Sequence, residues 1–141
     1  MKLVDANVLI YAVNADARNH DAARRWLDAA LSGGAPVGFC WAVLLAFVRI
    51  TTRPGIFPRP LELDTAHRII RSWLDQPAAQ MVAPTERHLD LVARHLTDLG
   101  VGGNLVNDAH LAALAVEHRG EVITFDRDFG RFEGVAWSVP K

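Results

Sequence analysis

The feature that most constrains the fold is the opening stretch, MKLVDANVLIYAVNAD, in which an apolar pair, Leu3 and Val4, is followed at once by Asp5 and then by Val8, Leu9, Ile10, Tyr11 and Val13 at helical spacing. A strand with no polar face belongs inside a sheet covered by helices on both sides, which is the setting of parallel strands. Asp5 at the strand-to-helix junction suits an N-cap, its oxygen accepting from a free amide of the first turn. The same junction is where ligands bind in open α/β sheets, beyond the carboxyl ends of the strands. Both readings start from the same residue.

The rest of the chain repeats the alternation. Asn19 is placed to cap a second helix on Ala23, Trp26, Leu27, Ala30 and Leu31, ended by Ser32-Gly33-Gly34. Val37 to Cys40 predicts a second strand, and Trp41 opens a third helix running to about Arg53, with Val43, Leu44, Phe47, Val48 and Ile50 inside and Arg49 and Arg53 outside. Pro54 and Gly55 stop it, and the proline-rich RPGIFPRPL makes a packed connection that must dock Ile56 and Phe57. Leu63 to Leu74 is a fourth amphipathic helix, Met81 and Val82 a third strand, and Pro84 and Thr85 the start of a fifth helix that Gly100 closes in the left-handed conformation. The run LVNDAHLAALAVEHRG is a sixth helix carrying Asp108 near its start and Gly120 just past its end. Glu121 to Phe125 reads as a fourth strand followed by Asp126, so that TFD repeats the strand-then-carboxylate design of LVD, and Val135 to Trp137 is a last strand.

Strands separated by one or two helices require crossover connections, hence a three-layer α/β/α sandwich around a mainly parallel, roughly five-stranded sheet. A length of 141 residues suits a single domain, 1–141, with a core of its own. The lone Cys40 excludes an internal disulfide and is read as a small core residue. No apolar run is long enough to cross a bilayer and Lys2 is followed directly by strand residues, so a cytoplasmic protein away from membranes is expected. A net charge of −1 announces no nucleic-acid binder, and the use of Arg for every cation except Lys2 and Lys141 follows the chain's compositional bias.

Right-handed crossovers bring the carboxyl ends of parallel strands to one edge, so Asp5 and Asp126 share it if the first and fourth strands are neighbours, and Asp108 converges from the sixth helix. Two such charges about 4 Å apart repel by roughly 4 kcal/mol at an effective dielectric of 20. A cluster of that kind needs protons or a divalent cation. Oxygen-only ligands favour a hard ion, Mg²⁺ first and Mn²⁺ second, and an aspartate-held Mg²⁺ at a sheet edge points to phosphodiester hydrolysis. The bland alternative makes each Asp a cap.

Four blocks, DANVLIYA, VLLAFVRITTRPGIFP, NDAHLAALAVEH and ITFDRDF, resemble in order and spacing a PIN-domain ribonuclease, and more narrowly the VapC-type toxin of a VapBC toxin-antitoxin system. The resemblance spans nearly the whole chain. It implies a metal-dependent endoribonuclease acting on tRNA or rRNA, a homodimer, and neutralisation by a VapB-like antitoxin. Carried over by motif, Asp5, Asp108 and Asp126 are the metal-binding acids, Asp128 is an auxiliary ligand, and Asn7 and Thr124 hydrogen-bond the site's water or orient its acids. The third-helix Glu common in the family falls here on Ala46, and Arg49, the next polar side chain of that helix, is a phosphate or RNA contact rather than a ligand. Waters fill the vacated metal positions and activity is retained with weaker metal binding; the alternative is an inactive module that binds RNA or protein. A haloacid-dehalogenase-type phosphatase would need an acid where Asn7 stands, and a phosphate-receiver domain a Lys the chain lacks in its interior. His110 and His118 join no catalytic pattern and are assigned solvent or satisfied-core roles. Trp26, Phe57 and Trp73 serve either the core or a partner surface.

Overall fold

The structure, a computed structural model, describes residues 1–141 except for the side chain of Asn104. Five three-residue strands, β1 (Lys2–Val4), β2 (Val37–Phe39), β3 (Ala79–Met81), β4 (Glu121–Ile123) and β5 (Ala136–Ser138), form one sheet in the order β3-β2-β1-β4-β5. Every pairing is parallel. Six helices connect them: α1 (Ala6–Val13), α2 (His20–Leu31), α3 (Trp41–Thr51), α4 (Leu63–Leu74), α5 (His88–Leu99) and α6 (Val106–Glu117). The crossovers to β2 and β3 carry α1 to α4, while the return to β4 runs the other way across the sheet and carries α5 and α6. Right-handed crossovers therefore put the two sets on opposite faces, and α1 packs on α2 and α3 while α5 packs on α6. This is the α/β arrangement the strand pattern predicts.

The core explains why the strands need no polar face. Leu3, Val4, Phe39, Val122 and Ile123 are all 1% exposed or less, covered by Val8 and Leu9 of α1, Phe47 of α3 and Leu114 of α6. At the amino ends of β1 and β4, Lys2 Nζ donates to Glu121 Oε2 at 2.9 Å. At the carboxyl ends, the register Val4↔Ile123 sets Asp5 beside Thr124, and the Asp5 amide donates to the Ile123 carbonyl at 3.0 Å.

Several local expectations are corrected. Asn19 occupies the cap position of α2 but makes no capping hydrogen bond through its side chain. The third strand, expected at Met81 and Val82, begins two residues sooner at Ala79 and ends at Met81, and the fourth ends at Ile123, before Phe125. Helix α5 starts at His88 rather than at Pro84 or Thr85: the Thr85 hydroxyl donates to Glu117 of α6 and accepts from the Arg87 amide at 3.2 Å, which closes a turn ahead of the helix. A 3-10 turn over Gly103–Leu105 precedes α6. In the proline-rich connection Phe57 is buried and Ile56 stays outside. Helix α3 buries Val43, Leu44 and Phe47 but leaves Trp41 and Leu45 more than 60% exposed. Trp26 and Trp73 are half-buried, Trp73 standing edge-on against Phe47.

The end of α6 divides between two residues the role the sequence gives to Gly120. Arg119 adopts the left-handed conformation, φ 51°, while its amide donates to Val116 and the Gly120 amide reaches the Ala115 carbonyl at 2.8 Å, closing a Schellman motif. Gly120 is needed for space instead: a Cβ there would meet the Leu3 side chain and lie 2.9 Å from the Met1 carbonyl oxygen. Adjacent substitutions therefore have opposite signs. Gly120→Ala lowers stability by about 1–3 kcal/mol through overpacking, and Arg119→Gly raises it by roughly 1 kcal/mol through relief of the left-handed strain, both read from urea midpoints.

Candidate functional site

The junctions at the ends of β1 and β4 form one hydrogen-bonded unit. Asp5 Oδ1 accepts from the Ala6 amide at 2.7 Å, so it does cap α1. Its Oδ2 accepts from the Thr124 hydroxyl at 2.8 Å and from Asn7 Nδ2 at 3.1 Å. Thr124, fully buried, in turn accepts the Asp126 amide at 2.9 Å, and Asn7 Oδ1 accepts the Phe125 amide at 3.1 Å. Asp126 Oδ1 holds the Asp128 amide at 2.9 Å and begins a 3-10 turn, Arg127–Arg131. Asp5, Asn7, Thr124 and Asp126 are thus fixed relative to one another by the β1–β4 register.

Asp108 arrives from the first turn of α6. With Asp5 it lines a cavity of about 170 Å³ whose other walls are Ala6, Cys40, Ala42, Val43, Ala46, Asn107, His110 and Leu111. Ala46 thus stands on the wall of this cavity, which takes part of the space a longer side chain would occupy. Asp126 and Asp128 lie outside that lining. Arg49 is exposed in the last turn of α3 and also stays out of it.

Charge accumulates at this edge. Burial, reinforced by the Asp126 charge, raises the Asp5 carboxyl above its ordinary range despite the opposing hydrogen bonds from Thr124, Ala6 and Asn7. Asp108 is pushed up to about 7 by burial and then by the charges of Asp5, Asp126 and Asp128. The four carboxylates therefore act on one another electrically, although among the described residues no three His, Cys, Asp or Glu side chains are already gathered around a single metal position. The donor set fits a hard cation that keeps several waters of its own: two carboxylates lining one cavity, the charges of Asp126 and Asp128 acting on it, and no thiolate, because burial raises the Cys40 thiol out of its reactive range.

The sequence leaves one group unread. Glu117, its side chain wholly buried, accepts from the Thr85 amide at 2.9 Å, from the Thr85 hydroxyl, and from His88 Nδ1 at 2.7 Å. Burial opposes its charge, but these hydrogen bonds prevail and its pKa is lowered. His88 Nε2 then meets His110 Nδ1 at 2.7 Å. Burial and the neighbouring His88 depress His110. The seven-residue interval from His110 to Glu117 was the available signal, since it sets both on one face of a helix; the third member comes from α5, and no spacing announces it. His118 instead reaches the Ala83 carbonyl at 2.8 Å.

Comparison with known proteins agrees with this architecture. The PIN-domain family model matches residues 2–135. Ribonuclease VapC37 of Mycobacterium tuberculosis is 59% identical over 140 residues, 99% of this chain and 97% of that protein. Ribonuclease VapC33 of the same species is 33% identical over 99% of this chain and 98% of its own length. Among solved structures, VapBC2 from Rickettsia felis bound to a promoter DNA fragment superposes with a TM-score of 0.74 at 14% identity, covering 99% of this chain and 98% of that one. The M. tuberculosis sarcin-ricin-loop-cleaving toxin VapC20 superposes at 0.66 and 20% identity, covering 96% and 99%. The chain belongs to the PIN-domain family, within its VapC ribonuclease branch.

Two outcomes follow from the site's geometry. Thr124→Val strips a donor from Asp5 and the acceptor from the Asp126 amide and costs about 1–3 kcal/mol, whereas Thr124→Ser, which keeps the hydroxyl, costs less; thermal midpoints separate them. Asp108, with a folded pKa near 7 against an ordinary value of 3.8, binds more protons in the native than in the unfolded chain. Its contribution is therefore complete below pH about 4 and lost as pH rises through about 7. In chelator, Asp108→Asn accordingly melts above the natural protein at pH 8, and that advantage shrinks at pH 5.

Proposed function

We propose that this protein is the toxin of a VapBC-type pair, a divalent-metal-dependent endoribonuclease that hydrolyses phosphodiester bonds in RNA. The observation that carries the reading is the shared cavity of Asp5 and Asp108, with Asp126 and Asp128 close enough that their charges help to push Asp108 up to about 7. Acids held that close gain most from a cation, and the site residues are read accordingly: Asp5, Asp108 and Asp126 hold Mg²⁺, or Mn²⁺ in its place, with Asp128 as an auxiliary ligand. Bound there, the ion polarises a phosphate oxygen and acidifies a water. Asn7 and Thr124 orient Asp5 by holding its Oδ2. Arg49, exposed one turn beyond Ala46, meets an RNA phosphate outside the cavity.

Relatives support the wider assignment. The 59%-identical protein bears the name ribonuclease, and VapC20 is described as cleaving the sarcin-ricin loop, so structured RNA, tRNA or rRNA, is the substrate class inferred here. The Rickettsia, Haemophilus and Salmonella structures are VapBC complexes, which supports a VapB-like antitoxin as partner. A homodimer in the cytoplasm completes the proposal. Among the described residues no helix is long and apolar enough to cross a membrane.

The test is cleavage of total tRNA and of ribosomal RNA with and without Mg²⁺. Asp5→Asn, Asp108→Asn and Asp126→Asn each lower the rate by at least about 100-fold, the upper end of what losing even a supporting group near a metal costs. Binding without cleavage by the natural protein would instead identify an RNA-binding module. Ala46→Glu adds an oxygen donor to the cavity wall and tightens Mg²⁺ binding measured by titration calorimetry; unchanged affinity would show that Ala46 leaves no ligand position open.

A further inference from the structure

Glu117, His88 and His110 form a directed chain that ends at the acidic cavity. His110 and Glu117 are seven residues apart on α6, about 10 Å along the helix axis at 1.5 Å per residue, and the single imidazole of His88 bridges them through contacts of 2.7 Å on either side. His110 belongs to two surfaces at once: it lines the groove that holds His88 and Thr85, and it lines the cavity of Asp5 and Asp108. On α6, Asp108 and His110 flank the Asn107–Leu111 stripe from either side, so the cavity has an acid at one margin and an imidazole at the other.

The chain also sets which nitrogen of His110 is free. Glu117 is an acceptor only, so His88 Nδ1 carries the proton between them and, in a neutral ring, His88 Nε2 is an acceptor. The proton of the 2.7 Å contact then sits on His110 Nδ1. Nε2 of His110 keeps its lone pair and, among the described residues, has no protein partner. On Asp5 three of about four lone-pair sites are engaged, one on Oδ1 by Ala6 and two on Oδ2 by Asn7 and Thr124, and the one left on Oδ1 serves the metal rather than the water.

We propose that His110 is a further catalytic residue of the phosphodiesterase reaction, its Nε2 accepting a hydrogen bond from the attacking water and turning that water's lone pair towards phosphorus, with His88 and Glu117 as positioning residues. The water oxygen bonds to phosphorus as the bond from phosphorus to the leaving ribose oxygen breaks; the water's proton passes to solvent, and the leaving oxygen takes one from solvent. This rests on the ribonuclease reading above. An attacking water needs an acceptor for its hydrogens, and of the two neutral acceptor side chains in the cavity wall, Asn107 and His110, it is His110 whose ring a hydrogen bond holds in a fixed direction. A wholly buried Glu117 with three hydrogen bonds supplies that fixity, since the ring cannot flip or change tautomer without unpairing a buried charge.

The experiment is single-turnover cleavage of total tRNA and ribosomal RNA by the full chain in Mg²⁺. His110→Ala lowers the rate at saturating protein by about 10- to 100-fold, leaves the half-saturating protein concentration and the thermal midpoint near those of the natural protein, and is partly rescued by added imidazole. Asp5→Asn is not rescued. His110→Gln, which returns an acceptor near the place of Nε2, keeps more rate than His110→Ala, and Glu117→Gln falls between the natural protein and His110→Ala. If the natural protein cleaves RNA while His110→Ala stays within about twofold of it, or loses rate only in step with its melting temperature and without imidazole rescue, the role of His110 is overturned and the ribonuclease reading stands. If the natural protein does not cleave, that reading falls and takes this one with it.

Discussion

The parallel pairing of β1 with β4 is the constraint on which the rest depends. Its register fixes Leu3 against Val122 and Val4 against Ile123, and the next position brings Asp5 and Thr124 together. A slip of one residue would turn the apolar strand residues and the hydroxyl to the wrong faces at once, because side chains alternate along a strand. Burial of Leu3, Val4, Val122 and Ile123 therefore does more than stabilise the sheet: it dictates where the carboxylates stand. The acids repel one another, and the apolar core behind them holds them in place against that repulsion.

The two oxygens of Asp5 show how one residue serves both structure and site. Oδ1 begins α1, while Oδ2 is tied to the opposite strand. Capping and function are not rival explanations here, since a carboxylate that starts a helix at a sheet edge is already aimed and already restrained. Asp126 repeats the device by starting its 3-10 turn through Asp128. Asp108 is the differently held member. It relies on the packing of α6, whose Ala109 and Leu111 to Ala115 are buried almost without exception, to bring it to the cavity.

Much of this was legible in the chain. Unpolar strand runs separated by helices fix parallel crossovers, and LVD and TFD mark both halves of the acidic edge. What escaped depends on contacts distant in sequence. Thr85 looks like the start of the helix after it, yet that helix begins at His88 and the Thr85 hydroxyl donates to Glu117, 32 residues on. His110 looks isolated until His88, 22 residues back, is seen against it. Gly120 has the position of a left-handed stop, but the left-handed residue is Arg119, and Gly120 is glycine because the Met1 carbonyl and Leu3 side chain leave no room for a Cβ. Trp41 and Leu45 fit the apolar period of α3 while facing outward. Local propensity specifies which elements form; which neighbour claims a side chain is decided by tertiary packing.

The span of the β1–β4 pair has a consequence for synthesis. Asp5 is synthesised well before Thr124, and the hydrogen bond between them joins positions 119 residues apart. Until that last segment has emerged, the sheet lacks its central neighbour for β1, Asp5 lacks its orienting hydroxyl, and Asp126 does not exist. A nascent chain therefore cannot assemble the acidic edge piecemeal, and a chain stopped anywhere before residue 124 carries the first acid without the framework that aims it.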